Sequence, residues 1–360
     1  MNFLAQTGEF EVHFLSEMDN DPNLQSKLDN RIQVHNLGMT TSFGGNIVSK
    51  FFGHLQFYSK LRRSIRCFFN SMPPFDVITT FGNGYVYKLV PWLNGFSSKL
   101  IEFHIPYLAD KLKDERRIFR MLRPLQFLFA KEEKIHNAYN YAVTLTLEDL
   151  KDRNYLSIPK VAIPNPVSFP LVTSDYIKRP RNIIAVGRLC VEKNFEHLIE
   201  AAHHLEGALR RGNWTIRLYG LGSHEHALRA LIKQYNLDDL IVFEGFSYDM
   251  SEVYNDSKLL ISTSLYEGFG MCIAEALSFN VPVIAYNCKC GPKELINNGV
   301  NGFLVNTDVS ELVAALRKLL EDEAKMEMMS LSARNGLENF DENKIFNKWV
   351  EFYHNLKPRN

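Results

Sequence analysis

The chain has 360 residues, of which 46% are hydrophobic and 23% charged, and its 41 Lys and Arg balance 41 Asp and Glu. This length predicts two domains, each large enough to bury a core of its own. The zero net charge argues against a nucleic-acid-binding protein, because such proteins usually carry an excess of basic residues.

Signals for membrane spanning or secretion are not evident in the sequence. Its apolar runs are shorter than the roughly 18 residues that cross a bilayer, and MNFLAQTGEFEVHF lacks the basic start and apolar stretch of a signal peptide. We therefore expect a cytoplasmic protein. The five cysteines lack the C-x-x-C spacing of a zinc site, so we expect reduced thiols, including Cys288 and Cys290, rather than a metal or redox site.

The first half of the chain alternates short apolar runs with helix-length segments, which is the pattern of a parallel sheet covered by helices. Its candidate strands are EVHFL from Glu11, IQVHNL from Ile32, DVITTF from Asp76, KLIEFH from Lys99 and YAVTLT from Tyr141.

Two segments of this half combine basic and bulky apolar residues. FFGHLQFYSKLRRSIRCFF contains Lys60, Arg62, Arg63 and Arg66 without an acid, and ERRIFRMLRPLQFLF contains Arg116, Arg117, Arg120 and Arg123. Residues 1–165 carry 20 Lys and Arg against 16 Asp and Glu, and the other 195 residues carry 21 against 25. Such segments are typical of helices on an anionic membrane surface, and equally of helices that bury an apolar stripe and turn their cations to water.

Prolines interrupt the alternation at Pro164, Pro166, Pro170 and Pro180, which makes this stretch the candidate linker. The alternation then restarts with NIIAVG from Asn182, TIRLYG from Thr215, LIVFEG from Leu240, LLISTS from Leu259 and VPVIAY from Val281. We predict an α/β fold of two doubly wound domains, 1–165 and 166–340, that face each other across a cleft. Residues 341–360 contain an amphipathic helix, which packs on its own domain or crosses back to the first.

Glycine-containing turns follow four strands of the second half, at Gly187, at Gly220 and Gly222, at Gly268 and Gly270, and at Gly291. Together they place exposed backbone amides along one rim of one sheet, which suits a diphosphate. Arg188 and Lys193 add a forked donor and a point charge for its phosphate groups, although both could also be solvated surface cations.

Two glutamates, Glu267 and Glu275, are eight residues apart around a predicted helix start near Gly270. Carboxylates at this point suit hydrogen bonds to the hydroxyls of a sugar and a ribose. A charge that only stabilises the helix N-terminus is the alternative for Glu267.

The motifs that carry a family resemblance in the second half are GRLCVEKNFEHLIEAA, the YGLG turn, and EGFGMCIAEA followed by GPKELINNGVNGFLV. They resemble the retaining glycosyltransferase family 4, the glycosyl transferases group 1. The resemblance covers nearly the whole second half and, more loosely, the segment from Asp76 to Val167. It implies the GT-B architecture of two Rossmann-like domains, with a nucleotide sugar, commonly a UDP-sugar, bound by the second domain without a metal ion or other cofactor.

The resemblance also implies roles for individual residues. Arg188 and Lys193 would bind the diphosphate and the leaving nucleotide, Glu267 would lie at the reacting carbon of the sugar, and Glu275 would bind the ribose. The backbone of Phe269, Gly270 and Met271 would contact sugar and phosphate, and Gly220 and Gly222 would lie in the nucleotide-binding turns. His104 would contact the donor sugar from across the cleft. A histidine at a strand end such as His104 is otherwise more often structural.

The function expected from this resemblance is transfer of a sugar, with retention, to a lipid-linked or polysaccharide acceptor in cell-envelope glycan synthesis. The enzyme would transfer a hexose or an N-acetylhexosamine, and it could associate peripherally with the inner face of the cell membrane. A sugar-nucleotide epimerase of the same fold and a non-catalytic glycosyltransferase-like subunit are the alternatives. MNFLAQTG resembles the end of the family's first helix, so we expect the first strand and its glycine-rich loop to be missing from this sequence.

Overall fold

The computed structural model describes residues 1–18, 27–39, 47–82, 85–94, 96–107, 109, 132–172 and 174–356, except for the side chains of residues 47–51. In this part of the chain every strand pairing between named strands is parallel. Because parallel strands need crossover connections, the helices lie between them in sequence.

The described residues of the first half form a two-stranded and a four-stranded sheet. The strands are β1 (His13–Met18) and β2 (Gln33–Met39), which pair with each other, and β3 (Phe75–Phe81), β4 (Phe96–Phe103), β5 (Tyr141–Thr144) and β6 (Lys160–Ala162), which pair in that order. The helices of this half are α1 (Asn2–Thr7), α2 (Ile47–Ser71), α3 (Glu132–His136) and α4 (Leu147–Asp152). Strand β1 begins two residues later than predicted, because its pairing with β2 starts at His13 and Gln33.

The second half contains one six-stranded sheet. Its strands are β7 (Asn182–Val186), β8 (Thr215–Tyr219), β9 (Ile241–Gly245), β10 (Leu259–Ser262), β11 (Val283–Tyr286) and β12 (Gly302–Val305). Its helices are α5 (Phe195–His204), α6 (Glu206–Arg211), α7 (Glu225–Gln234), α8 (Met250–Asn255), α9 (Met271–Ser278), α10 (Pro292–Leu295), α11 (Val309–Glu321) and α12 (Glu323–Leu331). Two core clusters cover opposite faces of this sheet, and the neighbouring residues Ile183 and Ile184 of β7 belong to one cluster each.

The strand order of the six-stranded sheet is β12-β11-β10-β7-β8-β9. The chain leaves β7 towards β8 on one side and later returns to β10 on the other side. The sheet therefore has a topological switch point between β7 and β10, where open α/β sheets form a crevice at the carboxyl ends of their strands.

Helix α2 buries its apolar stripe, since Phe57, Leu61 and Ile65 are 5%, 0% and 0% exposed in a first-half core cluster. Arg62, Arg63 and Arg66 are exposed. The apolar stripe of α2 thus lies in the core and its arginines face water, as expected if this segment is not a membrane-surface helix of the apolar-inserting kind. The other basic segment, with Arg116, Arg117, Arg120 and Arg123, lies outside the described residues.

The last helix, α13 (Glu342–His354), packs on the four-stranded sheet of the first half. Its Ile345 is fully buried in a cluster with Leu100, Val143 and Ile163, and Phe346 stacks on Phe3 with 4.3 Å between ring centroids. Among the described residues, no helix combines the length and the apolar character needed to cross a bilayer.

Candidate active site

The turns that follow β7 and β10 meet at the switch point of the six-stranded sheet. The turn after β7 carries Arg188 and Lys193, and the turn after β10 carries Glu267. The Thr263 hydroxyl donates to the Lys193 carbonyl over 2.9 Å, and the Leu265 amide donates to the Glu192 carbonyl over 2.9 Å. These bonds hold the two turns side by side.

Lys193 and Glu267 form an ion pair in this crevice. The Lys193 Nζ lies 2.6 Å from Glu267 Oε1, and the two side chains are 22% and 11% exposed. Burial alone would lower the pKa of the Lys193 ammonium, but the Glu267 carboxylate overrides this effect and raises the pKa. Lys193 is therefore a fixed cation, and Glu267 lies beside it as its counterion.

Arg188 is exposed at the same rim. Its pKa is raised, chiefly by a hydrogen bond to the sulfur of Cys190. Guanidinium groups keep their charge in proteins and bind phosphate through two parallel N–H groups. Arg188 and Lys193 thus present two cations on one turn.

The glycines of the next turn allow close packing against the Arg188 turn. A Cβ atom at Gly220 would overlap the carbonyl oxygen of Gly187, and one at Gly222 would overlap that of Leu189. Both positions therefore require glycine in this arrangement. Their direct contact is with the backbone that carries Arg188.

Helix α9 begins at Met271, directly after Gly270, as the sequence predicts. Phe269 is 2% exposed and packs its ring on Phe340, so its side chain belongs to the core and only its backbone is placed at the turn. Met271 is 36% exposed.

Glu275 lies one turn inside α9 and accepts a hydrogen bond from the Tyr254 hydroxyl over 2.7 Å. Burial raises the pKa of Glu275, and the bond from Tyr254 acts in the opposite direction. Tyr254, on α8, was not predicted, because a buried tyrosine in a short helix carries no functional pattern.

His104 follows β4 and reaches the second domain through its backbone. A Cβ atom at Gly268, next to Glu267, would overlap the His104 carbonyl oxygen. The His104 Nε2 lies 3.0 Å from Glu102 Oε2, and the ring meets Phe81 edge-on at 5.0 Å between centroids. The structure thus brings His104 to the Glu267 turn, with its side chain held by residues of the first domain.

Cysteines lie close to this site but are not activated. Burial raises the pKa of Cys272, Cys288 and Cys290 to about 12, so these thiols stay protonated at neutral pH. Within the described ranges, no group of three His, Cys, Asp or Glu side chains could hold a metal ion.

The first domain contributes two carboxylates that the sequence analysis missed, Glu148 and Asp152 on α4. Glu148 contacts Cys290, in the turn after β11, and Lys293, in α10, and Asp152 contacts Lys289 in the same turn. The partners are more than 130 residues apart in sequence. A pairing over this distance leaves no local pattern to read.

The chemistry of this arrangement combines two cations, amide-rich turns and two carboxylates at one crevice. Cations and backbone amides bind phosphate oxygens, and carboxylates accept hydrogen bonds from hydroxyl groups. The site can therefore hold a ligand that carries both a diphosphate and sugar hydroxyls.

Comparison with protein families matches residues 175–336 to the glycosyl transferases group 1. An uncharacterized glycosyltransferase of Haemophilus influenzae is 30% identical over 209 residues, which are 57% of this chain and 57% of that protein. The amylovoran biosynthesis glycosyltransferase AmsD of Erwinia amylovora is 29% identical over 175 residues, 48% of each chain. The chain thus spans about half the length of these curated relatives.

The crystal structure of Anabaena HepE in complex with UDP and glucose superposes with a TM-score of 0.73 at 18% identity. The superposition covers 97% of this chain and 100% of that one. This likeness confirms the predicted α/β fold with the GT-B arrangement of two Rossmann-like domains. The segment 175–336 is a glycosyl transferases group 1 domain.

Proposed function

We propose that this protein is a retaining glycosyltransferase of family 4, which transfers a sugar from a UDP-sugar to a lipid-linked or polysaccharide acceptor in cell-envelope glycan synthesis. The observation that carries the proposal is the Lys193–Glu267 pair at the switch point, with Arg188 on the same turn. The family match of this domain, the role of AmsD in amylovoran biosynthesis and the UDP bound to HepE support it.

In the proposed reaction, Arg188 and Lys193 bind the diphosphate and stabilise the negative charge that develops as the nucleotide leaves. Their charges are in place before the reaction, so no reorganisation is needed when the bond breaks. Because these cations supply the electrostatic role, we propose a reaction without a metal ion or other cofactor.

Glu267 lies beside the reacting carbon in this proposal, and its negative charge stabilises an oxocarbenium-like centre. Glu275 accepts hydrogen bonds from the ribose, and the backbone of Phe269, Gly270 and Met271 contacts sugar and phosphate. His104 contacts the donor sugar from the first domain.

The acceptor binds to the first domain in this proposal. Since the apolar stripe of α2 is buried, a contact of this helix with the membrane is electrostatic and uses Lys60, Arg62, Arg63 and Arg66. We propose a peripheral association of this kind at the inner face of the cell membrane, where a lipid-linked acceptor is available.

The proposed function is tested by thermal shift with a panel of sugar nucleotides. A ligand at 100 times its dissociation constant stabilises the folded protein by about 2.7 kcal/mol, so the donor should be the compound that raises the melting temperature most. Product analysis with this donor, in the presence of EDTA, then distinguishes transfer from the alternatives. An epimerised sugar nucleotide, or binding of UDP without any turnover, would refute the proposal, and activity that requires manganese would refute its metal-free form.

A further inference from the structure

Helix α4 holds the loop that follows His104. Its Asp149 accepts a hydrogen bond from the Tyr107 amide over 2.7 Å and pairs with Arg153 over 2.9 Å. Arg153 in turn donates to the Ile105 carbonyl over 2.6 Å. The Asp149 and Arg153 side chains are 3% and 0% exposed, so this connection is rigid and shielded from water.

The outer side of α4 contacts the second domain. Glu148 Oε2 accepts a hydrogen bond from the Cys290 amide over 2.9 Å, and Glu148 Oε1 accepts one from Lys293 Nζ over 2.7 Å. Asp152 pairs with Lys289 over 2.7 Å. Both oxygens of Glu148 are thus used across the cleft, one on the backbone and one on a side chain.

The loop that Glu148 contacts supports the Glu267 turn. The Lys289 carbonyl accepts a hydrogen bond from the Glu267 amide over 3.3 Å. A Cβ atom at Gly291 would overlap the Phe269 carbonyl oxygen. Cys290 has φ 64°, a left-handed conformation that residues other than glycine rarely adopt. The hydrogen bond that Glu148 accepts comes from the amide of this unusual residue.

The contacts of Glu148 differ in what they can do. Its pair with Lys293 is partly exposed, with side chains 22% and 45% accessible, and such pairs contribute little to stability. The bond to the Cys290 amide fixes a backbone conformation next to the Glu267 turn. Burial acts to raise the pKa of Glu148, but the bonds from Lys293 and the Cys290 amide together lower it, so the carboxylate is charged at neutral pH.

We propose that Glu148 is a positioning residue, which fixes the Lys289–Gly291 loop and, through it, holds the Glu267 turn in register with His104 across the cleft. This inference rests on the proposed function for its catalytic consequence, but not for the structural link itself. Helix α4 connects the two sides of the site, with Asp149 and Arg153 holding the His104 loop and Glu148 holding the Glu267 turn.

The test compares four variants. Glu148→Ala removes both bonds, whereas Glu148→Gln keeps an oxygen for the Cys290 amide and loses both the charge and the hydrogen-bond acceptor opposite Lys293. Lys293→Met removes the same ion pair from the other partner and leaves the amide bond intact. Glu206→Ala is the control, because Glu206 is a partly exposed carboxylate that bonds to Arg210 on its own helix.

Hydrogen–deuterium exchange of the segment 287–296 measures the link without any ligand. We expect Glu148→Ala to exchange about tenfold faster than wild type, Glu148→Gln and Lys293→Met less than about threefold faster, and the control unchanged. With the donor found by thermal shift, Glu148→Ala should lower kcat about tenfold or more and leave the Kd of UDP unchanged, because the diphosphate residues are untouched.

Exchange in Glu148→Ala equal to that in Glu206→Ala would overturn the proposal, as would faster exchange with wild-type kcat. A loss of kcat in Lys293→Met as large as in Glu148→Ala would show that the ion pair, and not the amide bond, holds the loop. If the wild-type protein transfers no sugar, the proposed function fails, and the exchange experiment still decides whether Glu148 holds this loop.

Discussion

Lys193 has two negatively charged partners in the proposed reaction, the Glu267 carboxylate and the donor diphosphate. The first contact is observed at 2.6 Å, and the second is part of the proposed function. Because the Glu267 carboxylate offsets part of the positive charge of Lys193, it can adjust how strongly Lys193 attracts the departing nucleotide. The two residues should therefore have different effects on binding and on turnover.

We expect Glu267→Gln to lower kcat about 100-fold or more and to leave UDP binding within about threefold, because the amide keeps the shape but loses the charge beside the sugar. Lys193→Ala should weaken UDP binding about tenfold and also lower kcat, since a charge-assisted bond to phosphate is lost. Calorimetry with UDP and initial rates measure the two effects. Lys233→Ala, at an exposed lysine of α7, is the control. Wild-type rates in Glu267→Gln would exclude this residue from the site.

His136 is a buried base in the core of the first domain. It is 4% exposed, its Nδ1 lies 2.8 Å from the Tyr155 hydroxyl, and its Nε2 has no hydrogen-bond partner within the described ranges. Burial, together with the nearby cations of Arg153 and Lys88, lowers the pKa of His136 to about 3. The imidazole is therefore neutral in the folded protein.

This burial predicts a loss of stability in mild acid. Below pH 6.5 the unfolded chain protonates His136 and the folded chain does not, so the free energy of unfolding falls as pH decreases from about 6.5 towards 3. The slope from this group is about 1.4 kcal/mol per pH unit, or about 2 kcal/mol between pH 6.5 and 5. Urea unfolding at several pH values should show a smaller slope in His136→Asn than in wild type. His204→Asn, at an exposed histidine, should keep the wild-type slope, and an equal slope in both variants would contradict the assignment.

Helix α13 contributes to the core of the first domain. Ile345 is fully buried against Leu100, Val143 and Ile163, and the Tyr353 hydroxyl lies 3.2 Å from that of Thr79 on β3. Ile345→Ala should reduce the free energy of unfolding by about 2–5 kcal/mol, the range for removing a buried aliphatic side chain. Leu331→Ala, at an 80% exposed residue of α12, should change it by less than about 0.5 kcal/mol in the same urea titration. Equal effects would mean that α13 is only loosely attached.

The strands were predictable where their sequence was long and apolar. NIIAV and LLIS are continuous apolar runs before a turn, and the structure places β7 and β10 on them. Strand β6 has only three residues, Lys160–Ala162, and β12 begins at a glycine, so neither shows a pattern of useful length. The orientation of α2 was also not predictable, because the sequence shows both faces and only the tertiary core decides which one is buried.

The grouping of the candidate site residues was predictable on the second domain, and across the cleft it was predictable for His104 but not for Glu148. Glu267, Arg188 and Lys193 lie in motifs whose spacing is local, and the structure brings them to one crevice. The proposed role of Glu148 depends on its hydrogen bonds with Lys293 and Cys290. These residues lie more than 140 residues away and become its neighbours only after both sheets have formed. Contacts of this kind follow from the packing of the domains.

The charge of the whole molecule is divided between its halves. Residues 1–165 carry a net charge of +4 and residues 166–360 carry −4, so the molecule has a dipole although its total charge is zero. An anionic surface should therefore attract the half that contains α2. This attraction weakens with salt, because the Debye length falls from about 10 Å at 0.1 M to 3 Å at 1 M.

We expect binding to anionic vesicles that decreases with salt and loses about 3 kcal/mol when Arg62, Arg63 and Arg66 are replaced by glutamine. Vesicle sedimentation at several salt concentrations measures it. The control changes Lys233, Arg317 and Arg211 to glutamine, which removes the same charge from exposed positions of the second domain. Equal binding to neutral vesicles, or an equal loss in the control, would argue against a membrane contact through α2.

The position of α13 determines when the first domain can complete its core during synthesis. Because translation proceeds from the N-terminal to the C-terminal side, the first domain emerges from the ribosome long before residues 342–354, yet these residues bury Leu100 and Val143 and stack on Phe3. That surface stays open to solvent, and available to chaperones, while the second domain is being synthesised. A premature stop codon before residue 342 would thus damage a domain that is encoded well upstream of it.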